Sequence, residues 1–161
     1  MTRIGMELGR LCAEHQQMHS LSERLRRVMD QRGQFCAAEL QPVWQEFHTI
    51  LTRHLKCEDW VLYPKLSMDD DRAMVDLAID IFSEVGGVSA QLAEFDVAWD
   101  VAARDADPQG YQQAIRAILD AVDHRTICEE NRLFPAAQAA ELARAEGRDA
   151  ALGVDLMPSL A

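Results

Sequence analysis

The sequence predicts an all-α protein that folds as a single up-down-up-down four-helix bundle, with a short helix or tail at the C-terminal end. Alanine, leucine, glutamate, arginine and glutamine dominate the composition, and aromatic residues make up only 6% of it, which is typical of helical proteins. Four amphipathic stretches, each of roughly 25–30 residues, follow one another with short connections, as in a bundle. A chain of 161 residues, 48% of them hydrophobic, can bury one substantial core but not two.

The first two helices are predicted from apolar residues that recur at helical spacing. One covers about residues 3–31 and ends near Gly33, and its inward stripe consists of Leu8, Leu11, His15, Met18, Leu21, Leu25 and Val28. The other covers about residues 37–66, and its stripe consists of Leu40, Trp44, Phe47, Leu51, His54, Glu58 and Leu62. Pro42 is compatible with this second helix because it lies in the opening turns.

The third and fourth helices have start signals as well as stripes. The three aspartates at 69–71 are N-cap candidates for the third helix. This helix is predicted to end near Arg104, and its stripe consists of Met74, Leu77, Ile81, Glu84, Val88, Leu92, Phe95 and Trp99. Asp107 and Pro108 are a start signal for the fourth helix, whose inward residues are Tyr111, Ile115, Ile118, Val122, Glu129 and Leu133.

The C-terminal residues are predicted to lie outside the bundle core. Pro135 is expected to end or kink the fourth helix. An alanine-rich stretch at 136–146 predicts a short extra helix, and the last residues predict a loose tail. The predicted bundle domain therefore covers residues 1–146, and the predicted tail covers residues 147–161.

One segment of the second helix is repeated in the fourth. The sequences are CEDWVLYP at 57–64 and CEENRLFP at 128–135, which share a cysteine, a glutamate, a second acid, a leucine, an aromatic ring and a proline. The second and fourth helices are therefore expected to play related roles in a pseudo-symmetric bundle.

A few polar residues interrupt the apolar stripes of all four helices, and they are His15, His54, Glu58, Glu84 and Glu129. Carboxylates are costly to bury unless they are paired or bind a metal. Inward glutamates and histidines on facing helices are how four-helix bundles build sites for two irons or two manganese ions. The interrupted stripes therefore predict a metal site in the core.

The most informative local pattern is the pair His54 and Glu58. Residues four apart on an α-helix lie within about 40° of each other, so both side chains can reach one metal ion. Taken alone, such a pair is more often a surface pair, but here it lies on an apolar stripe. Imidazole with carboxylate suits iron, zinc or manganese, and several bridging carboxylates favour two irons over a structural zinc.

Between about Leu11 and Pro135 the sequence resembles the hemerythrin-like (HHE) cation-binding proteins. The resemblance is carried by EHQQM at 14–18, HLKCEDWVLYP at 54–64, FSEVGG at 82–87 and HRTICEENRLFP at 124–135. It implies an up-and-down bundle that holds non-haem iron and meets oxygen, peroxide or nitric oxide. It also implies ligands at His15, His54, Glu58, His124 and Glu129, with Glu58 and Glu129 as bridging carboxylates.

The sequence departs from the oxygen-carrying hemerythrins in its third helix. Those proteins have a His-x-x-x-His pair there, whereas this chain has no histidine between His54 and His124. Glu84 is the inward polar candidate on that helix. Reversible oxygen carriage is therefore disfavoured, and redox chemistry or sensing is favoured.

A second departure concerns His124. It precedes Glu129 by five residues, so the two diverge by about 140° on a regular helix. Alignment of the internal repeat places Arg125, and not His124, opposite His54. A regular helix would bring Arg125 to the site, and a local π-bulge would bring His124 there. The sequence leaves both arrangements open.

Charge and cysteine content limit the partners. A net charge of −11 repels nucleic acid and anionic membranes, so we expect neither as a partner. The four cysteines form no C-x-x-C pair, and the first twelve residues have no feature of a secretory signal. These observations predict reduced thiols and a cytoplasmic location.

Three functions agree with the sequence. The first is a protein that binds oxygen, peroxide or nitric oxide at a di-iron site and reports it. The second is an enzyme that uses the same irons for redox chemistry. The third is a metal-free helical regulator that binds a protein partner, which is favoured by Arg125 and by the lack of histidine on the third helix.

Overall fold

The computed structural model describes residues 3–30 and 37–154, and the described residues form helices and no strand. The helices are α1 (Arg3–Asp30), α2 (Ala37–Cys57), α3 (Tyr63–Leu66), α4 (Arg72–Val85), α5 (Val88–Ala98), α6 (Val101–Ala106), α7 (Pro108–Cys128) and α8 (Phe134–Val154). Two π-helical turns connect successive helices: π1 (Glu58–Leu62) lies between α2 and α3, and π2 (Glu129–Leu133) lies between α7 and α8. The prediction of an all-α bundle is confirmed.

Contacts between helices define the up-down-up-down order. Near one end of α1, Arg10 contacts Cys57 of α2, and towards the other end Arg24 contacts Glu46, so α1 and α2 run antiparallel. In the same way, α5 is contacted by α2 through Asp96 with His48 and by π1 through Ser89 with Asp59, so this pair is also antiparallel. α7 returns beside α1 and α4, which closes the bundle.

The third predicted helix is divided into three pieces. Asp71 caps α4 by accepting from the N–H of Ala73, as predicted, but the helix is interrupted after Val85 at Gly86 and Gly87. A Cβ at Gly86 would lie 2.5 Å from the carbonyl oxygen of Phe82, so this turn requires glycine. Asp100 then caps α6, and Asp107 caps α7 as predicted.

The two π-turns occupy the two copies of the internal repeat. The N–H of Tyr63 donates to the carbonyl of Glu58, and the N–H of Phe134 donates to that of Glu129, each spanning five residues. Pro64 and Pro135 follow directly. A proline has no N–H for the α-helical bond and its ring crowds the preceding turn, and a wider turn relieves both problems.

The chain past Pro135 differs from the prediction. Pro135 neither ends the helix nor separates a short piece, because α8 continues from π2 to Val154. The π-turn accommodates the proline, so helical structure continues past it. The last residues of the predicted tail, 155–161, lie outside the described residues.

The buried side chains form two apolar clusters with a polar layer between them. One cluster contains residues of α1, α2 and α7, among them Met18, Leu21, Leu25, Phe47, Leu51, Ile115, Ile118, Leu119 and Val122. The other contains Leu8 and Leu11 of α1 with residues of π1, α3, α4, π2 and α8. On α1 the buried residues between the two are Glu14 and His15. No described helix is long and apolar enough to cross a membrane.

Candidate metal centre

Four predicted ligands meet in the polar layer between the two apolar clusters. His15 comes from α1, His54 from α2, Glu58 from the start of π1 and Glu129 from the start of π2. Each offers one nitrogen or oxygen atom, and these four atoms lie within 4.8 Å of one another. All four side chains are buried, and the two glutamates are 0% exposed.

Two carboxylates orient the two imidazole rings. Nδ1 of His15 lies 2.9 Å from Oε1 of Glu130, and Nδ1 of His54 lies 2.9 Å from Oε2 of Glu14. A carboxylate can only accept here, so each Nδ1 carries the hydrogen and each Nε2 keeps its lone pair in the neutral ring. Metal-binding histidines are commonly held in this way.

Glu14 and Glu130 were not among the predicted ligands. Glu14 is itself held by Arg10 at 3.0 Å and Arg53 at 2.9 Å. Burial raises the pKa of Glu14, but the hydrogen bond from His54 and the charges of the two arginines lower it overall. Glu14 therefore remains an ionised acceptor. A glutamate directly before a buried histidine was the available sequence signal.

The ligand atoms have the spacing that a metal ion requires. The Nε2 atoms of His15 and His54 are 2.9 Å apart, and Nε2 of His54 lies 3.0 Å from Oε1 of Glu58. Nε2 of His15 lies 3.6 Å from the same oxygen and 3.5 Å from Oε2 of Glu129. Ligands on one ion with bonds of about 2.1 Å are separated by about 3.0–3.5 Å.

The buried oxygens have close charged or imidazole neighbours but no well-formed hydrogen bond. Both carboxylate oxygens of Glu58 and Oε2 of Glu129 are buried and accept no hydrogen bond of good geometry, although Nη2 of Arg125 lies 3.0 Å from Oε2 of Glu58 and Nε2 of His54 lies 3.0 Å from its Oε1. Buried polar atoms are rarely left in this state, and an ion is one of the accepted explanations. Two lone pairs facing each other at 2.9 Å likewise require a proton or a cation between them. The donor set therefore fits a metal ion.

Arg125 lies beside these ligands and is 2% exposed. Its guanidinium contacts Glu129 at 2.9 Å, Glu58 at 3.0 Å and Asp59 at 2.6 Å. The hydroxyl of Tyr63 donates to Oε1 of Glu129 at 2.9 Å, the oxygen that also accepts from Nε of Arg125. Of the two arrangements that the sequence left open, the structure has Arg125 facing the site.

Charge and burial act in opposite directions on the pKa values of the cluster. Burial lowers the pKa of His15, but hydrogen bonds and charge from Glu129 and Glu58 outweigh it and raise this pKa to about 10. Burial raises the pKa of Glu58, but the two histidines and Arg125 lower it well below its usual range. Burial and the charge of Glu58 raise the pKa of Glu129. The cluster therefore stabilises positive charge at its centre.

Two predicted ligands, Glu84 and His124, do not join this cluster. They contact each other at 3.2 Å on the surface between α4 and α7, where their side chains are 41% and 58% exposed. The π-turn starts at Glu129, after His124, so the residues between them keep the α-helical phase. Arg125, four residues before Glu129, faces inward, and His124 faces outward. The expectation that Glu84 points into the core is thus corrected, and the ligand position that the resemblance implies for His124 lies outside the cluster.

A cavity of about 430 Å³ adjoins the cluster between α1 and α7. His15 and Glu130 line it, together with Gln16, His19, Asp123, Thr126 and Ile127. His15 therefore borders both the cluster and a space large enough for several small molecules.

The comparison with known families agrees with the geometry. The family model described as the hemerythrin HHE cation-binding domain matches residues 7–137. The match starts in α1, ends in the first turn of α8, and includes the four clustered ligands and Arg125. No curated protein and no solved structure is significantly similar to the chain.

Proposed function

The chain belongs to the hemerythrin HHE cation-binding domain family, and from this premise we propose that its core holds one iron ion and binds or senses oxygen, peroxide or nitric oxide. His15, His54, Glu58 and Glu129 are the proposed ligands. The observation that carries the proposal is the convergence of two imidazole nitrogens and two carboxylate oxygens within 4.8 Å in the core. Imidazole with carboxylate is a ligand set of non-haem iron.

The number of ions follows from Arg125. The guanidinium pairs with oxygens of Glu58 and Glu129 that would otherwise be available to a second metal. If Glu58, Asp59 and Glu129 are ionised, these three carboxylates and Arg125 together carry a net charge of −2. One divalent ion neutralises that charge, and the described residues offer no further buried group of ligands for another. This proposal replaces the two irons expected from the sequence by one.

The surrounding residues support a reactive or sensing role over carriage. Bound iron would supply a redox-active centre with room for a small ligand beyond its four protein donors. Nη1 of Arg125 is buried without a hydrogen-bond partner, so it can donate to a small anionic or polar ligand. Two carboxylates on the ion favour its oxidised state, which disfavours the release of intact oxygen.

The proposed setting is the cytoplasm. Cys12, Cys57 and Cys128, the cysteines among the described residues, are all free thiols, which agrees with a reducing compartment. The choice between a sensor and a redox enzyme rests on the fate of the ligand, because both functions use the same donors.

A specific observation also favours a second candidate, a metal-free helical regulator that binds a protein partner. Arg125 already pairs with three carboxylates, and a protonated His15 would add a second positive charge. One negative charge then remains, and the raised pKa of Glu129 favours its neutral form. A cluster neutralised in this way would fold without metal, and the protein would then act through its surface.

Metal analysis separates the two candidates. Protein purified without chelator, or loaded anaerobically with ferrous iron, should contain one iron per chain. His54→Ala should abolish most of this binding. The matched control is His48→Ala on the same helix, because His48 pairs with Asp96 away from the cluster. Protein that stays free of iron after loading would favour the regulator, and equal losses in both variants would contradict the ligand assignment.

A further inference from the structure

A second group of metal-ligating side chains lies at the surface between α4 and α7. Nε2 of His124 lies 3.2 Å from Oε1 of Glu84, and the thiol of Cys128 donates to the same oxygen at 3.5 Å. One nitrogen, one sulfur and one oxygen therefore come within 4.8 Å of one another. None of these atoms belongs to the buried cluster.

We propose that Glu84, His124 and Cys128 form a second metal site, which binds a zinc-class divalent ion and leaves a fourth position open to solvent. Zinc prefers four ligands in a tetrahedron, with bonds of about 2.0 Å to nitrogen and oxygen and about 2.3 Å to sulfur. These bond lengths separate nitrogen from oxygen by about 3.3 Å and sulfur from oxygen by about 3.5 Å. The two observed separations lie within 0.1 Å of these values.

The helix and a neighbouring arginine hold the three donors in place. His124 and Cys128 are four residues apart on α7, so they share one face of that helix. Nη1 of Arg132 donates to Oε2 of Glu84 at 2.8 Å. This bond fixes the carboxylate and leaves Oε1 directed to His124 and Cys128. A supporting contact of this kind is typical of metal ligands.

The donor chemistry distinguishes this site from the core. A thiolate ligand favours zinc and other soft or borderline ions, whereas the described core ligands include no sulfur. Zinc would displace the thiol proton of Cys128, which passes to solvent. The thiolate and the Glu84 carboxylate then balance the two charges of the ion. Three protein ligands with one open position are characteristic of zinc sites that bind water or an exchangeable ligand.

The position of the site gives it a structural consequence. It would join α4 to α7 at Cys128, whose neighbour Glu129 points into the core cluster. Two adjacent residues of one helix would therefore contribute to two different metal sites. Occupancy of the surface site would restrain the junction of α7 and π2, where Glu129 lies.

Cobalt(II) is the probe that tests this site, since it replaces zinc and its thiolate complexes absorb in the near ultraviolet. Titration of the full-length protein with cobalt should produce this sulfur-to-metal absorption with one ion per chain, and zinc should abolish it. The absorption should disappear in Cys128→Ser. It should persist in Glu58→Gln, because the core ligands lack sulfur, and this result separates the site from the proposed iron centre.

Cys57→Ser is the matched control for Cys128→Ser. Cys57 is the equivalent residue of the internal repeat, but its sulfur accepts from Arg10 at 2.9 Å. The absorption should therefore persist in Cys57→Ser. The exposed variant His124→Ala keeps the thiol and should weaken cobalt binding by at least about tenfold, the loss seen even for residues that only support ligands. Absence of the absorption in the native protein, or its persistence in both Cys128→Ser and His124→Ala, would overturn the proposal.

Discussion

The two copies of the internal repeat adopt the same backbone but have different surroundings. Residues 57–64 and 128–135 each contain a π-turn that starts at a buried glutamate and is followed by an aromatic residue and a proline. One helical turn earlier, the first copy has His54 and the second has Arg125. The first therefore places an imidazole beside its buried glutamate, and the second places a permanent positive charge there.

The difference shows that the same backbone turn can place a buried glutamate beside either an imidazole or a guanidinium. The π-turn positions the carboxylate in both copies, and the residue four positions earlier supplies the group that contacts this carboxylate. At Glu58 this residue is an imidazole at 3.0 Å, and at Glu129 it is a guanidinium at 2.9 Å. We propose that Arg125 takes the place of a second metal ion in charge.

The largest effect is expected when the two copies are made alike. Arg125→His removes the guanidinium from Glu58, Asp59 and Glu129 and places an imidazole at the position equivalent to His54. The iron content after anaerobic loading should then rise from one ion per chain towards two. Inductively coupled plasma measurements on native and variant protein check this prediction. An unchanged content of one ion would show that Arg125 does not keep the second ion out.

Removing only the charge of Arg125 should destabilise the metal-free protein. Arg125→Gln leaves buried carboxylates without their partner, which typically costs about 3–5 kcal/mol of unfolding free energy. Urea denaturation monitored by circular dichroism measures this loss. Arg72→Gln is the control, because Arg72 forms an exposed pair with Asp76 one turn away, which contributes less than about 0.5 kcal/mol. Similar losses in both variants would contradict the buried role of Arg125.

The carboxylates that hold the histidines should have a smaller effect. Glu14→Gln removes the anionic acceptor of His54 and should lower the metal affinity by about 10–100-fold. Glu130→Gln should have a weaker effect, since Glu130 is 46% exposed whereas Glu14 is 7% exposed. Competition with a coloured chelator gives both affinities. A larger loss in Glu130→Gln would reverse this order.

The smallest effect is expected at His124, the neighbour of Arg125. Because His124 is exposed, His124→Ala should leave the iron content of the core unchanged and should alter the unfolding free energy by less than about 0.5 kcal/mol. The same iron analysis and denaturation measure both quantities. Loss of core iron in this variant would mean that His124 turns inward when metal binds.

Much of the fold and the inward position of several site residues could be predicted, because helical spacing and N-caps depend only on nearby residues. Apolar spacing on α1 and α2 placed His15, His54 and Glu58 on inward faces, and caps at Asp71 and Asp107 were read directly from residue type. The repeat predicted that residues 57–64 and 128–135 would share a turn, which proved to be a π-turn.

The rest of the site required information that no single helix contains. The choice between His124 and Arg125 depended on whether the π-turn lies between them and Glu129 or starts at Glu129, because one extra residue in that interval exchanges which of the two faces inward. The pairing of Glu14 with His54 and of Glu130 with His15 crosses between helices, so it depends on how each helix is rotated about its axis. The buried stripe of α4 runs through Met74, Ala78, Ile81 and Val85, so Glu84 lies one residue off the inward face.

An anomalous-diffraction structure of the iron-loaded protein tests the central claim most directly. We expect one iron peak in the core, within bonding distance of Nε2 of His15 and Nε2 of His54, with Arg125 still paired to Glu58 and Glu129. Two iron peaks in the core, with Arg125 displaced from both glutamates, would contradict the claim that this arginine replaces the second ion. The lack of any peak among these ligands in iron-loaded crystals would contradict the metal centre itself.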